Sequence, residues 1–172
     1  LDCLQSIKAQ TYENFKVIVV DDGSTDKTVD VVKNFIDGDP RFSLVIHEKN
    51  TGSQVKALAH GFNQCSSEFV TWLGSDDTYR EDAFEKLVAE HRRLRNKDFI
   101  SYNMYMWDPT NSHVCGYCNN SWPGLGGFQS WNPQKPHDQK SFVKIVYEYL
   151  VPPIPLNGLW RTHFFRQKKL SW

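Results

Sequence analysis

The sequence predicts an α/β sandwich with a mostly parallel central sheet. Through residues 1–107, short apolar runs alternate with segments of helical apolar spacing, the order that builds a sheet covered by helices. The run FKVIVV is short, apolar and β-branched, which is typical of a strand covered on both faces. The turn and N-cap residues of DDGSTDKT follow it, so we expect a helix to begin soon after the strand ends.

Eight elements follow from this pattern. Starting with a helix, helices and strands alternate at 1–10, 15–20, 29–36, 42–47, 55–63, 68–73, 82–95 and 98–107. Leu1, Leu4 and Ile7 share one face of the first helix, as helical spacing requires. The second helix ends at DGDP, where proline prevents continuation. The third follows the turn NTGS, and the fourth has Phe84 and Leu87 on one side.

The pattern changes after Trp107. Residues 108–140 are rich in Pro, Gly, Asn and Trp and have no clear period. A loop of this length in a compact domain is usually functional or mobile. We expect a short helix at 141–150 and a strand within 156–165 that packs back on the sheet.

The composition excludes several classes of protein. The 172 residues suggest one domain, and 23% charged with 14% aromatic residues is typical of a globular chain. The formal net charge is zero, so we expect no nucleic-acid partner. No apolar run approaches the roughly 20 residues of a membrane span, so we expect no transmembrane segment in this portion.

The four cysteines are too few for a disulfide framework. We therefore predict a reducing compartment and a cytoplasmic location, with a peripheral position at the inner face of a membrane left open. Cys115 and Cys118 form a single C-x-x-C, with His113 and His137 in the same region. A zinc site would need a second pair of ligands to be convincing, so ordinary loop thiols are the favoured interpretation.

Acidic pairs follow two of the predicted strands. Asp21 and Asp22 come directly after FKVIVV, and Asp76 and Asp77 come after EFVTWL and a Gly-Ser pair. Ligands of open α/β sheets bind beyond the carboxyl ends of the strands, so we expect both pairs along one edge. Carboxylates there suit Mg²⁺ or Mn²⁺, whose coordination is often completed by substrate phosphates. The local alternatives are a helix cap for the first pair and a solvated turn for the second.

Two stretches resemble a known family. SIKAQTYENFKVIVVDDGSTDKT and WLGSDD followed by a helix are similar to the family 2 glycosyltransferases of GT-A type, and the resemblance covers most of residues 1–107. It implies a GT-A-type nucleotide-binding α/β sandwich and a nucleoside-diphosphate sugar as donor. In the family, the second acid of the first pair contacts the base or ribose, a role that corresponds to Asp22. The last acid of its D-x-D motif holds the metal-diphosphate, a role that corresponds to Asp76.

The resemblance also implies the complete set of site residues. Asp21, Asp22 and Asp76 would bind the nucleotide, and Asp76 with Asp77 would hold Mn²⁺ or Mg²⁺. The catalytic base would lie beyond Trp172, and the family's first strand is absent. We therefore expect these residues to be an internal portion of a longer chain.

We expect a single domain with two parts. Residues 1–107 would bind the nucleotide sugar, and 108–172 would supply an acceptor-side loop, short helix and strand. The implied activity is transfer of the sugar to a hydroxyl of a carbohydrate or lipid-linked sugar acceptor, with inversion and with help from a divalent metal.

Other interpretations remain open. Gly74 stands where the family usually has another acid, which favours a GT-A-like domain that has lost catalysis and binds carbohydrate or protein. A sugar nucleotidyltransferase would want a Gly-rich, basic phosphate loop near the first strand, and none is visible. Four tryptophans could stack on a sugar or pack in the core or loop: Trp107, Trp122, Trp131 and Trp160.

Overall fold

The computed structural model describes residues 1–94, 99–101, 104–108, 113–118 and 158–167. The described helices are α1 (Asp2–Lys8), α2 (Thr28–Ile36), α3 (Gln54–Asn63), α4 (Ala83–Arg93) and α5 (Thr162–Gln167). The described strands are β1 (Val17–Asp21), β2 (Phe42–Ile46), β3 (Phe69–Val70), β4 (Phe99–Ser101), β5 (Met104–Asp108), β6 (His113–Cys118) and β7 (Gly158–Arg161). None of the helices described has the length and apolarity needed to cross a membrane.

The chain forms two compact units. The first contains Leu1–Phe99 and Leu159–Trp172, and the second contains Ile100–Gly158. The described part of the second unit includes an antiparallel pair, β5 with β6, whose register shifts between Met106 and Trp107. The structure describes two strands, β4 and β5, within the predicted strand at 98–107. The predicted helix at 141–150 lies outside the described residues.

The first unit contains the parallel pair β1–β2. Its register runs from Val17 opposite Phe42 to Asp21 opposite Ile46, so both strands end at the same edge. Helix α3 packs on β1 and α2 on β2. A Cβ at Gly61 would lie 2.9 Å from Cγ2 of Val20, so a glycine at this position lets α3 approach β1 closely. This packing places the loops after β1 and β2 side by side.

Strand β3 is shorter than the sequence predicts. The predicted run 68–73 is paired only at Phe69 and Val70, antiparallel to β7. Beyond Val70 the chain makes different bonds, because the Tyr79 hydroxyl lies 2.9 Å from Thr71 Oγ1 and donates to the Trp72 carbonyl at 3.1 Å. These contacts fold residues 71–79 into a loop.

The segment predicted as a strand within 156–165 divides into two elements. Strand β7 covers Gly158–Arg161, and the prediction is wrong from Thr162 onwards, because α5 begins there. Residues 156–157 lie outside the described part of the chain. The α/β class is confirmed, with β1–β2 as its parallel pair. The pairings of β3 with β7 and of β5 with β6 are antiparallel.

The core of the first unit is apolar with one buried histidine. Its most buried apolar residues are Ile7, Val32, Phe42, Ala59, Leu87, Val88, Leu159 and Trp160. Trp160 is only 4% exposed and stacks on Trp72 with ring centroids 6.5 Å apart, so it packs in the core and offers no sugar platform. His91 is fully buried, and its Nε2 lies 3.1 Å from the Leu159 carbonyl oxygen, which links α4 to β7.

Candidate functional site

Asp21 shapes the loop that follows β1. It is buried, and its Oδ1 accepts hydrogen bonds from the backbone N–H groups of Gly23 at 3.2 Å and Ser24 at 2.9 Å. Gly23 has a φ of +79°, and a Cβ there would lie 2.5 Å from the backbone N of Asn50. Only glycine fits this left-handed, crowded position. Asp21 therefore fixes a tight turn against the loop after β2, and its nucleotide-binding role stays a prediction.

Asp22 faces the loop after β2. Its Oδ1 lies 2.7 Å from Nδ1 of His47, its Oδ2 accepts from Thr51 Oγ1 at 2.9 Å, and the Thr51 N–H lies 3.2 Å from both oxygens. These bonds hold the pKa of Asp22 below its ordinary value, the bond from His47 first and those from Thr51 after it. Its side chain is 22% exposed. The structure thus places an ionised, oriented carboxylate at the carboxyl end of the parallel pair, where ligands of such sheets bind.

Two histidines belong to this group, and the sequence interpretation overlooked them. His47 contacts Asp22 directly, and its Nε2 lies 2.7 Å from Nδ1 of His60 on α3. The strand register contains a signal for His47: if Asp21 is opposite Ile46, the next residues along the two chains, Asp22 and His47, also meet. His60 had no comparable signal, because its position depends on how α3 packs on β1.

The acids of the loop after β3 converge on Gly74. The Asp77 N–H donates to the Gly74 carbonyl at 3.2 Å, which closes a turn. A Cβ at Gly74 would lie 2.8 Å from Asp76 Oδ1 and 3.1 Å from Asp77 Oδ2. Both carboxylates therefore approach the space that a side chain at this position would fill. Burial, and after it the negative charge of Asp76, raises the pKa of Asp77.

Residues near the end of α1 hold this acidic loop in place. Gln10 is buried, donates from Nε2 to the Ser6 and Arg80 carbonyls at 3.0 and 2.6 Å, and accepts from the Phe84 N–H at 2.9 Å. Ser6 Oγ accepts from the Tyr79 N–H at 3.1 Å. The Gln-Thr-Tyr piece therefore has a physical role, since its glutamine connects α1 to the loop after β3 and to the start of α4.

The acid pair suits a magnesium or manganese ion in chemistry and in number of ligands. Among the described residues, no group of three or more His, Cys, Asp or Glu side chains could hold a metal ion by itself. Mg²⁺ usually needs only one or two protein carboxylates, because water and substrate phosphates complete its coordination. Asp76 and Asp77 meet that lower requirement. Burial first, and then repulsion from Asp76, raises the pKa of Asp77, and a cation beside the pair would relieve that repulsion.

The acid groups after β1 and β3 stay distinct in the described contacts. Asp22 bonds with His47 and Thr51, whereas the described charge that acts on Asp77 is that of Asp76. The shared edge for both pairs therefore stays a prediction. The thiol of Cys3 lies near the second pair and donates to the Gly74 carbonyl at 3.4 Å; burial first, and then Asp77, raises the pKa of that thiol.

The side chains of the other candidates lie outside the described part of the chain. Cys115, Cys118 and His113 lie on β6, and the side chains of β6 are outside the described part of the chain. His137 and the segment around it are also outside the described part. Trp122 and Trp131 also fall outside the described residues. The zinc and sugar-stacking interpretations gain no support there.

Known proteins give an independent comparison. The profile described as "Glycosyl transferase family 2" matches residues 1–120. Glycosyltransferase GlyG of Streptococcus pneumoniae serotype 4 is 31% identical over 117 residues, which cover 68% of this chain and 38% of that protein. The putative glycosyltransferase EpsH of Bacillus subtilis is 28% identical over 173 residues, covering 99% of this chain and 45% of EpsH.

The fold has a counterpart in a solved structure. The crystal structure of S. aureus TarS 1-349 in complex with UDP superposes with a TM-score of 0.65 at 20% identity, covering 99% of this chain and 45% of TarS. This likeness confirms the GT-A-type α/β fold. The chain spans less than half the length of GlyG, EpsH and this TarS fragment. The family match over residues 1–120 shows that the chain belongs to glycosyl transferase family 2.

Proposed function

We propose that this chain is the nucleotide-sugar-binding part of a glycosyltransferase that transfers a sugar from a nucleoside-diphosphate sugar to an acceptor hydroxyl. One observation supports this above the others: Asp22 is an ionised carboxylate, partly open to solvent, held by His47 and Thr51 beyond the carboxyl ends of β1 and β2. Ligands of open α/β sheets bind at such ends. Family membership supports the reaction class, and the UDP in the TarS crystals supports a nucleoside-diphosphate sugar as donor.

The acidic residues of the site would have two different roles. Asp22 would accept a hydrogen bond from the base or ribose, and Asp76 and Asp77 would hold Mn²⁺ or Mg²⁺. A bound divalent cation neutralises a diphosphate and favours its departure as a leaving group. Gln10, Ser6 and Tyr79 keep the acidic loop in the conformation that lets both carboxylates converge.

The finer features of the reaction are part of the proposal. We assign an inverting displacement on a carbohydrate or lipid-linked sugar acceptor, with residues 1–107 on the donor side and 108–172 on the acceptor side. Asp21 would contribute to nucleotide binding through the turn that it fixes rather than through direct contact. Sugar transfer by the full-length protein, followed by the configuration of the product, tests the inverting assignment.

Nucleotide binding is the first test. A ligand bound only by the native state raises the free energy of unfolding by about 2.7 kcal/mol at a hundredfold excess over its Kd. We expect UDP or GDP with Mn²⁺ to raise the melting temperature of the parent. Asp22→Asn and Asp76→Asn should each weaken nucleotide affinity about tenfold or more, since each loses a charge-assisted contact.

A matched control is available in the same loop. Asp26 is an exposed carboxylate whose described hydrogen bonds are local, to the Thr28 backbone N–H at 2.9 Å and to the Thr28 side chain, so Asp26→Asn should leave nucleotide affinity unchanged. If Asp22→Asn and Asp76→Asn bind UDP and GDP as well as Asp26→Asn does, the assigned site is wrong.

The second candidate is a GT-A-like domain that has lost catalysis and binds carbohydrate or protein. Gly74 supports it, because the family usually has another acid at this position. The convergence of Asp76 and Asp77 on the space above Gly74 weighs against it, since two carboxylates already occupy that space. Release of nucleoside diphosphate from a nucleotide sugar by the full-length protein would favour the enzyme, and nucleotide binding without turnover across a panel of donors would favour the binding domain.

A further inference from the structure

Gly74 is the first residue of the turn that carries both acids of the loop after β3. The Asp77 N–H donates to the Gly74 carbonyl at 3.2 Å, so residues 74–77 form a β-turn. Asp76 is exposed and Asp77 is half-buried. The turn therefore presents one carboxylate to solvent and keeps the other closer to the protein.

The lack of a side chain at Gly74 provides space rather than backbone freedom. The described glycines with a positive φ are Gly23, Gly38 and Gly52. Gly74 is not among them, so its backbone is one that residues with a side chain also adopt. A Cβ at this position would lie 2.8 Å from Asp76 Oδ1 and 3.1 Å from Asp77 Oδ2. The two oxygens thus approach one small volume, which a side chain at position 74 would fill.

Cys3 contacts the carbonyl on which this turn closes. Its thiol donates to the Gly74 oxygen at 3.4 Å, so that oxygen accepts from α1 and from the Asp77 N–H together. Two donors use both lone pairs of a carbonyl oxygen, which fixes the orientation of that peptide group. One helical turn later on α1, the Ser6 hydroxyl donates to the Cys3 carbonyl at 2.7 Å and accepts from the Tyr79 N–H at 3.1 Å. The same face of α1 therefore holds the acidic turn and the chain that follows it.

We propose that Cys3 and Gly74 are positioning residues for the cation that the acid pair would hold. Gly74 leaves the space in which the two carboxylates meet, and Cys3 fixes the turn that brings them together. This inference rests on the proposed function, because it takes Asp76 and Asp77 to hold Mn²⁺ or Mg²⁺. The glycine is then a requirement of the site in this chain, although comparison with the usual family motif alone would make it a lost ligand.

The geometry separates the effect on the cation from the effect on folding. The oxygen ligands of Mg²⁺ lie about 2.0–2.1 Å from the ion in near-octahedral positions, so a small displacement of a carboxylate weakens coordination. A Cβ at position 74 would approach Asp76 Oδ1 more closely than unbonded atoms normally do, and that carboxylate would have to move. Because both carboxylates are the ends of side chains, they can move while the backbone stays in place. The loss should therefore appear in cation affinity and hardly at all in stability.

The test measures how much Mn²⁺ each form of the full-length chain needs. Calorimetric titrations with UDP and with GDP over a series of Mn²⁺ concentrations give the Mn²⁺ concentration at which nucleotide affinity is half-maximal. We expect Gly74→Ala to raise this concentration about tenfold, as disturbance of the groups that orient metal ligands commonly does. Its melting temperature without metal or nucleotide should match that of the parent.

Gly74→Asp separates the two explanations of the glycine. If Gly74 marks a lost ligand, an aspartate there supplies the missing carboxylate and lowers the half-maximal Mn²⁺ concentration. If the glycine provides necessary space, the new side chain displaces the two existing carboxylates, and the half-maximal concentration stays at or above that of the parent. Gly74→Ala alone separates them as well, because alanine adds no ligand: it should be neutral under the first explanation and harmful under the second.

The chain offers a matched control for Cys3. Cys65 is also half-buried, and its thiol donates to another glycine carbonyl, that of Gly61, at 3.6 Å. Cys3→Ala should raise the half-maximal Mn²⁺ concentration about threefold, the effect of one modest hydrogen bond, whereas Cys65→Ala should leave it unchanged. Cys3→Ser retains a donor and should lie closer to the parent than Cys3→Ala does. These variants decide the role of α1 if Gly74→Ala does not fold.

The outcomes distinguish this inference from the proposed function. If the parent binds neither UDP nor GDP at any Mn²⁺ concentration, the proposed function fails and the inference fails with it. If the parent binds nucleotide equally well in EDTA, the nucleotide site stands and the inference is overturned. A Gly74→Ala variant that needs no more Mn²⁺ than the parent, or a Gly74→Asp variant that needs less, overturns the role of Gly74. Equal values for Cys3→Ala and Cys65→Ala overturn the role of Cys3.

Discussion

Replacement of Gln10 by leucine should destabilise the first unit and disturb the acidic loop. Gln10 is 5% exposed, and its amide makes three hydrogen bonds of 2.6 to 3.0 Å with the Ser6 and Arg80 carbonyls and the Phe84 N–H. Phe84 lies in the first turn of α4, where N–H groups have no partner within the helix. The N-cap residue Asp82 makes no capping side-chain bond, so Gln10 performs that function from a distance of more than seventy residues along the chain.

The magnitude follows from these three bonds. Leucine has nearly the same volume, so the change removes the bonds without a large cavity. Each intramolecular hydrogen bond contributes about 1 kcal/mol net, and a buried group left unpaired costs about 1–3 kcal/mol. Loss of an N-cap costs a similar amount, about 1 kcal/mol. We expect Gln10→Leu to lower the free energy of unfolding by about 3 kcal/mol, a large part of the total of about 5–15 kcal/mol that is usual for a domain.

Urea unfolding followed by tryptophan fluorescence measures this loss, since Trp72 and Trp160 stack in the same unit. Thr11→Val is the matched control. Thr11 is exposed, and its hydroxyl donates to Glu85 at 2.9 Å, so its loss should change stability by no more than about 0.5 kcal/mol. A loss below about 1 kcal/mol for Gln10→Leu would refute the reasoning.

Three further outcomes are expected. Gly61→Ala should cost about 1–3 kcal/mol, because its Cβ would meet Val20 Cγ2 at 2.9 Å. Gly23→Ala should cost more than about 2 kcal/mol, because φ is +79° and its Cβ would lie 2.5 Å from the Asn50 backbone N. The pKa of Asp77 is raised, mainly by burial; the native state therefore holds this proton more firmly than the unfolded chain does. The ionised form costs stability at neutral pH, and that cost disappears as pH falls. Asp77→Asn should thus stabilise the metal-free chain at neutral pH, with a difference that shrinks towards pH 3.8, the ordinary value.

Chemical unfolding of each variant supplies the measurements. Gly38→Ala is the control for Gly23→Ala, because Gly38 also has a positive φ, +74°, but a Cβ there meets nothing within 4 Å. It should lose only the conformational term of about 1–2 kcal/mol. Equal losses for the two glycines would contradict the close approach of the two loops. An Asp77→Asn gain that persists unchanged at acid pH would mean that ionisation is not its cause.

Local patterns predicted the elements and the first acid loop well. Apolar spacing placed α1 to α4 within a few residues of their observed bounds, and the run FKVIVV anticipated β1. The turn after β1 was also predictable from the sequence, because Asp21, Asp22 and Gly23 are residue types that make tight turns. These features depend on contacts between residues close in the chain, which side-chain chemistry alone specifies.

The sequence alone was less informative about pairing. It favoured a strand at 68–73, where only Phe69 and Val70 pair, since β-propensity does not reveal that Tyr79 bonds with Thr71 and Trp72. It also extended the last strand into α5. Antiparallel addition of β7 beside β3 joins segments about ninety residues apart, and no local period encodes such a contact.

The sequence by itself predicted an α/β fold with carboxylates after two of the predicted strands, and its resemblance to the family 2 glycosyltransferases implied the family that the match over residues 1–120 shows. Hydrophobic period and turn chemistry are local properties, and they were sufficient for the fold class. Tertiary structure alone decided which groups surround those carboxylates. The contacts of Asp22 with His47, of His47 with His60, and of Gln10 with Phe84 arise from strand register and helix packing, because these place side chains from distant segments within hydrogen-bonding distance.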